Sequence, residues 1–253
     1  MIRDFYRGLK QAISSILSLI FTERGFLFLS AIDKSIRYKN VAKEIKKFKE
    51  KDEKLKILDV GGGYSPLCYL LDKRNFDLTV LDVSKEELEQ LKNKKNIKTI
   101  IADASEKIPF ANRSFDIVAS VASFEHVKAE KRKKYIRELK RVAKKSVVLY
   151  VQTDKIAEYY DRKIHGFRTK IGIKDEWTEE HMKYGLPTTE QLKAFFPDAR
   201  IMKMQNASVW YCIMIMQSTP IFELIFPGII YALVLRWSDN RKPFIATLLN
   251  WKK

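Results

Sequence analysis

Cysteine is scarce in this chain. Cys68 and Cys212 are the only two, they lie far apart, and neither belongs to a CxxC pair. A disulfide framework and a cysteine zinc site do not follow, and a reducing cytoplasm suits the composition. Histidine is nearly as sparse: His126, His165 and His181 show no HxxxH spacing, so no metal is expected. Acidic residues fall short of basic ones, 31 against 48, which leaves a formal charge of +17. Such a field draws anions: nucleic acid, an acidic lipid surface, or an anionic cofactor or substrate. Lysine-rich surfaces also simply keep proteins in solution. No unbroken apolar run reaches the roughly 20 residues of a membrane span, and no internal repeat or low-complexity tract is evident.

What is present begins with two apolar ends. The stretch "MIRDFYRGLKQAISSILSLIFTERGFLFLSAI" sets basic residues ahead of an apolar run, as a secretory signal does. Thr22, Glu23, Arg24 and Gly25 break that run, and no A-x-A site follows. Leu9, Ile13, Ile16, Leu17 and Ile20 share one helical face, which predicts an amphipathic helix that either packs on the protein or touches lipid. The tail "IFELIFPGIIYALVLRW" is more apolar still, though Glu223 and Pro227-Gly228 interrupt it. Trp251 beside two lysines is a pairing common at membrane interfaces.

Between the ends the chain alternates. After a lysine-dense solvated helix over 38–56, strand-like runs appear at "LKILDV", "FDLTVLDV", "IKTIIAD", "FDIVASV" and "KSVVLYVQ". "PLCYLLDKRN", "SKEELEQLKNKKN" and "KAEKRKKYIRELKRVAKK" read as intervening helices, with Ser84 and Glu87 forming a capping box on the second. Repeated β-then-α units imply a parallel sheet with helices on both faces. Residues 154–198 break the rhythm, and Thr188 or Thr189 is placed to cap a short helix there. "ARIMKMQ" and "SVWYCIMIMQ", joined by a tight "NA" link, read as an antiparallel strand pair.

The chemistry gathers at "ILDVGGGYS", residues 57–65. Three glycines directly after a buried strand give up packing and backbone entropy, so the turn needs either φ > 0 or a close approach. Acids then recur at successive strand ends: Asp59, Asp82 and Asp103. Asp82 lies about 20 residues beyond the turn, where a carboxylate accepts hydrogen bonds from ribose hydroxyls. A dinucleotide GxGxxG motif would place glycine at position 66, and this chain has Pro66. Asp103 suits an adenine amine, and acids at ribose and base are awkward neighbours for phosphate. An adenosine without phosphates fits best.

Taken together, "ILDVGGGYS", "LTVLDVS", "IADASEKIPFANRSFDIV" and "SFEHV" resemble the class I S-adenosylmethionine-dependent methyltransferases, and especially the type 11 methyltransferase domain. The resemblance covers roughly residues 55–152 and more loosely continues to 217; Ser65 stands where the family often has a third glycine. It implies an α/β fold: a doubly wound, mostly parallel, seven-stranded Rossmann-like sheet with an antiparallel last strand and helices on both faces, plus helical N- and C-terminal extensions. The expected division is a helical extension over 1–54, a methyltransferase domain over 55–217 with a lid or acceptor insertion at 154–198, and an apolar extension over 218–253. The cofactor implied is S-adenosyl-L-methionine. Asp59, Gly61, Gly63 and Ser65 would cradle its methionine part, Asp82 the ribose, and Asp103 with Ala104 the adenine. Ser120 and Val121 would border the sulfonium.

Methyl transfer from a sulfonium asks the protein to align a nucleophile and exclude water. Glu125 and His126, just past the fourth strand, are the candidate catalytic residues, and His126 can take a proton near neutral pH. Trp177, His181 and Tyr184 are candidates to line the acceptor pocket. Three readings of the function follow. The first is an enzyme acting on a lipid-linked, isoprenoid or glycan-like acceptor, cytoplasmic and peripheral to an anionic membrane surface. The second is an RNA methyltransferase, although no RNA-binding module is recognisable. The third is a non-catalytic S-adenosylmethionine-binding protein.

Overall fold

The computed structural model describes residues 32–51, 53–94, 96–218, 226–233 and 235–253. The amphipathic helix expected near the N-terminus and residues 219–225 of the apolar tail lie outside the described residues. Strand β1 (Leu55–Val60) lies inside the sheet: from Ile57 onward every residue is buried, as a strand covered on both faces requires. Its side chains alternate, Leu58 and Val60 packing into one core and Ile57 into the other. β1 pairs in parallel with β2 (Phe76–Asp82) on one side and β4 (Phe115–Val121) on the other. β3 (Ile97–Ile101) extends the sheet beyond β2, and β5 (Ala143–Gln152) lies beyond β4, again in parallel. The strand order is β3-β2-β1-β4-β5-β7-β6, with β6 at Arg200–Asn206 and β7 at Phe244–Lys252. β7 runs antiparallel to both of its neighbours. The order reverses direction between β1 and β4, which opens a crevice off their carboxyl ends.

Helices cover both faces. α1 (Ile32–Lys46) starts earlier and ends sooner than the lysine run implies, and it is not simply solvated. Tyr38, Val41, Ala42 and Ile45 are buried against the sheet, while Lys39, Lys43 and Lys46 occupy the outer face. Two polar links anchor it. Gln205 bridges Asp33 (2.9 Å) and the Tyr150 hydroxyl (3.0 Å), and Asn250 donates to Glu44 at 3.0 Å. α2 (Leu67–Leu70) and α3 (Lys85–Glu89) are short, and the Ser84 hydroxyl caps α3 by accepting from the Glu87 amide. α4 (Arg132–Val142) packs on the opposite face through Tyr135, Ile136 and Leu139. The insertion supplies α5 (Asp154–Lys170), α6 (Glu176–Tyr184) and α7 (Thr189–Phe195), the last opened by a complete Thr188–Gln191 capping box.

Two expectations fail at the C-terminal end. "SVWYCIMIMQ" is not a strand but belongs to helix α8 (Ala207–Gln217). Its β-branched and aromatic residues carry strand propensity, yet Asn206 accepts hydrogen bonds from the Ser208 and Val209 amides, at 2.9 and 3.0 Å, and starts a helix. The antiparallel strand comes instead from 244–252, within the segment expected to be an apolar extension; that segment also holds α9 (Phe226–Leu233). Trp251 accordingly does not mark a membrane interface. Its ring meets Phe196 at 5.7 Å, with the Lys140 ammonium over both rings.

If β7 is integral to the sheet, Leu249→Ala, at a fully buried position, should cost about 2–5 kcal/mol in urea unfolding. Trp237→Ala, at an exposed position, should stay within about 0.5 kcal/mol.

Candidate active site

The turn after β1 meets both demands inferred for its glycines. Gly61 and Gly63 have φ of +67° and +53°. A Cβ on Gly61 would stand 2.0 Å from the Ser123 hydroxyl, and one on Gly62 would stand 2.6 Å from the Asp59 carboxylate. The turn therefore closes on its own neighbours, β4's following loop included. The Gly61 amide donates to the Leu81 carbonyl at 2.7 Å, and the Gly63 amide donates to Asp82 at 2.8 Å, joining the ends of β1 and β2. Ser65, itself left-handed at φ 28°, donates its hydroxyl to Asp59 Oδ2 at 2.5 Å.

Asp59 is fully buried, and its Oδ1 has no hydrogen-bond partner among the described residues. Burial pushes its carboxyl up to about 7, against the Ser65 hydrogen bond and the Lys34 charge, with Asp82 adding to the rise. Burial, then Arg37, likewise brings the Lys34 ammonium down to about 8, although Glu87, Asp59 and Asp82 pull the other way. Lys34 sits 3.5 Å above the Tyr64 ring. An orphaned carboxylate oxygen beside a glycine turn, with a partly buried ammonium close by, suits the zwitterionic end of an amino acid.

A cavity of about 500 Å³ opens off these strand ends. Gly61, Asp82, Asp103 and Ala104 line it, as their expected roles require. Asp82 accepts from the Ser84 amide and Asp103 from the Ser105 amide, both at 2.8 Å, and a carboxylate has lone pairs to spare for an outside donor. Val83 also lines the cavity and is 67% exposed, an apolar surface for a flat base that the sequence reading did not single out. Asp59, Gly63 and Ser65 stand behind the wall. Ser120 and Val121 do too, because β4 stays in register with β5 through Val121–Tyr150 and keeps both buried. Ser120 instead bonds the Tyr135 hydroxyl at 2.8 Å, and Ala122, Ser123 and Tyr135 form the wall.

His126, in the turn Phe124–His126, lines the same cavity with Trp177, Glu180 and Tyr184 of α6. Its Nδ1 lies 2.8 Å from Glu180 Oε2, its Nε2 lies 3.3 Å from His181 Nε2, and Trp177 meets the ring edge-on at 5.2 Å. His181 is buried, and its Nδ1 lies 2.8 Å from Asp161 Oδ2. Burial lowers the His126 pKa, helped by His181 and opposed by Glu125 and Glu180. Burial also works against charging His181, but the Asp161 hydrogen bond and charge outweigh it and the pKa rises. Arg132 holds the end of α6 through the Gly185 carbonyl. Glu125, expected beside the methyl group, does not line the cavity: it is buried and accepts from the Gln152 amide at 3.3 Å, with Oε2 unpartnered. Asp161, Glu180, Tyr135 and Lys34 had no motif to announce them; each is assembled by packing. Among the described residues no group of His, Cys, Asp and Glu is arranged to hold a metal ion.

The strand order, the crevice at its reversal and the acids along it define the class I fold that binds S-adenosylmethionine. Residues 58–151 match the family described as a methyltransferase domain. Solved structures with the same fold include a methyltransferase dependent on this cofactor from Archaeoglobus fulgidus, 13% identical, with TM-score 0.57 and 87% of this chain covering 94% of that one. A putative sarcosine dimethylglycine methyltransferase from Galdieria sulphuraria is 16% identical, with TM-score 0.55 and coverage of 87% and 86%. An N-methyltransferase from Haemonchus contortus, solved with S-adenosylhomocysteine and phosphomonomethylethanolamine, is 15% identical, with TM-score 0.55, covering 85% of this chain and 52% of that one. No curated protein matches. Residues 58–151 therefore match a methyltransferase domain, and the sheet around them has the fold of S-adenosylmethionine-dependent methyltransferases.

Two outcomes test the geometry. Gly61→Ala should weaken S-adenosylhomocysteine binding about tenfold or more by calorimetry, since φ > 0 alone costs about 1–2 kcal/mol. Gly172→Ala, at φ +73° with open space around it, should leave binding unchanged. If the cofactor's ammonium reaches Asp59, binding near pH 6.5 should release protons in wild type, by lowering the raised Asp59 pKa, and fewer in Asp59→Asn. Calorimetry in buffers of different ionisation enthalpy measures this.

Proposed function

We propose that the chain methylates an oxygen or nitrogen whose proton is removed by His126. The observation that carries this is the placement of a half-buried, partnered imidazole on the wall of the cavity that also holds Gly61, Asp82 and Asp103. S-adenosylmethionine supplies an activated methyl group, so the protein must orient the acceptor, exclude water and accept a proton. Asp82 and Asp103 would hold the nucleoside and the glycine turn the amino-acid end. Trp177 and Tyr184 would flank the acceptor. Burial lowers the His126 pKa, which favours the neutral imidazole that can take a proton. Glu180, about half exposed, occupies His126 Nδ1; an entering acceptor hydroxyl or amine would take its place.

A second observation bears on where the acceptor comes from. Leu233 and Trp237 are 72% and 79% exposed, with Arg236 between them and Arg241 and Lys242 following, on a chain of formal charge +17. This supports a lipid-linked, isoprenoid or glycan-like acceptor met at an anionic membrane surface. No helix of the described residues is long and apolar enough to cross a membrane.

Cell fractions incubated with methyl-labelled S-adenosylmethionine should carry label into solvent-extractable lipid. Label confined to RNA would overturn the lipid reading in favour of the nucleic-acid one. His126→Gln should lower label transfer about 10²–10⁴-fold without changing S-adenosylhomocysteine affinity; undiminished transfer would remove the base from the account.

A further inference from the structure

Beyond the wall that carries His126 lies a second cavity, of about 250 Å³, lined by Glu158, Asp161, Arg162, His181, Met182 and neighbouring backbone. It shares no lining residue with the first. The two imidazoles are the partition: His126 faces the cofactor cavity, His181 faces the second, and their Nε2 atoms are 3.3 Å apart. Asp161, which also lines the second cavity, closes the chain at 2.8 Å; it is fully buried, and its Oδ1 has no partner among the described residues.

The hydrogen bonds restrict where protons can lie. If Glu180 and Asp161 each accept from an Nδ1–H, both Nε2 atoms would present lone pairs to one another. One extra proton must then sit between them, so the resting pair carries a single positive charge and titrates as a unit. Losing that charge, with Glu180 displaced from His126 Nδ1 by the acceptor, lets one orientation satisfy the other contacts. His181 Nδ1–H donates to Asp161, His126 Nε2–H donates to His181 Nε2, and His126 Nδ1 presents its lone pair to the cavity.

We infer that Asp161 and His181 are positioning residues that form with His126 a carboxylate–imidazole–imidazole relay, carrying the acceptor's proton from the reaction cavity to the second cavity. The inference rests on His126 being the base. The acceptor atom bonds to the methyl carbon while the carbon–sulfur bond breaks and leaves its electron pair on sulfur. The acceptor's proton passes to His126 Nδ1, the Nε2 proton passes to His181, and the His181 Nδ1 proton passes to Asp161 and then to solvent. Protons and charge balance: the sulfonium is neutralised and one proton is released. Glu180 on α6, Glu125 in the turn after β4, Arg37 on α1 and Asp161 on α5 act on the pair's charge, Arg132 interacts with Glu125, and Glu158 and Arg162 on α5 line the second cavity beside His181.

With three histidines in the chain, imidazole NMR resolves each one in the full-length protein, with His165→Asn as an assignment aid. In wild type, His126 and His181 should take up one proton as a pair, the second entering only at much lower pH. Independent uptake by the two rings overturns the relay and requires no variant. Asp161→Asn, nearly isosteric, should lower the pair's first titration by about one pH unit or more. The rising limb of lipid-label transfer from methyl-labelled S-adenosylmethionine should move to lower pH by the same amount, with S-adenosylhomocysteine affinity unchanged. Unmoved titrations and an unmoved limb in Asp161→Asn contradict the relay. Label transfer that survives His126→Gln while the rings remain coupled counts against His126 as base, and is distinguishable from failure of the coupling.

Discussion

A carboxylate buried at the end of the central strand dictates the layout of the site. Asp59 cannot reach water, so Ser65 turns back to donate to it, and Gly62 must lack a side chain because any Cβ would strike that carboxylate. The resulting tight turn brings Gly61 against Ser123 and the Gly63 amide onto Asp82. One buried acid thus sets the spacing between the ends of β1, β2 and β4, which is the spacing of the crevice. Such burial is costly unless the group is partnered, and Asp59 Oδ1 has no partner among the described residues.

The two halves of the cavity are built by different means. The nucleoside side consists of strand ends whose carboxylates are aimed by local amides, as the Ser84 and Ser105 amides aim Asp82 and Asp103. Rigid parallel strands suit a ligand whose shape never changes. The acceptor side consists of side chains on α6, held to the sheet by Arg132 and by the histidine contact. On the proposed reading, its chemistry would depend on the charge carried by two imidazoles between two carboxylates, and would respond to pH in a way the other half does not.

The strand-end half of the cavity was legible because its residues follow strand ends in order: a glycine turn after β1, then Asp82, then Asp103 with Ala104. That pattern is local in sequence and survives without tertiary information. The acceptor half was legible only in part. His126, Trp177 and Tyr184 reach the cavity, but Glu125 turns inward to the Gln152 amide. Asp161 meets His181 only because α5 and α6 pack as an antiparallel pair, and no spacing announces that contact. The sheet's last strand was misplaced for a physical reason: apolar, β-branched composition describes burial, and "SVWYCIMIMQ" is buried as a helix because Asn206 caps it. The strand at 244–252, buried on both faces rather than alternating, was missed when its tryptophan and lysines were read as an interfacial anchor.

The central claim is that an uncharged nucleoside, S-adenosylmethionine's own, lies across the ends of β1, β2 and β3 with its sulfur turned toward His126. A crystal structure of the full chain with S-adenosylhomocysteine tests it most directly. The account predicts ribose hydroxyls on Asp82, the adenine edge at Asp103 with its face on Val83, and the sulfur opening toward the His126 side of the cavity. Ligand density elsewhere on the protein, or a sulfur facing away from His126 with Asp82 and Asp103 untouched, would contradict it.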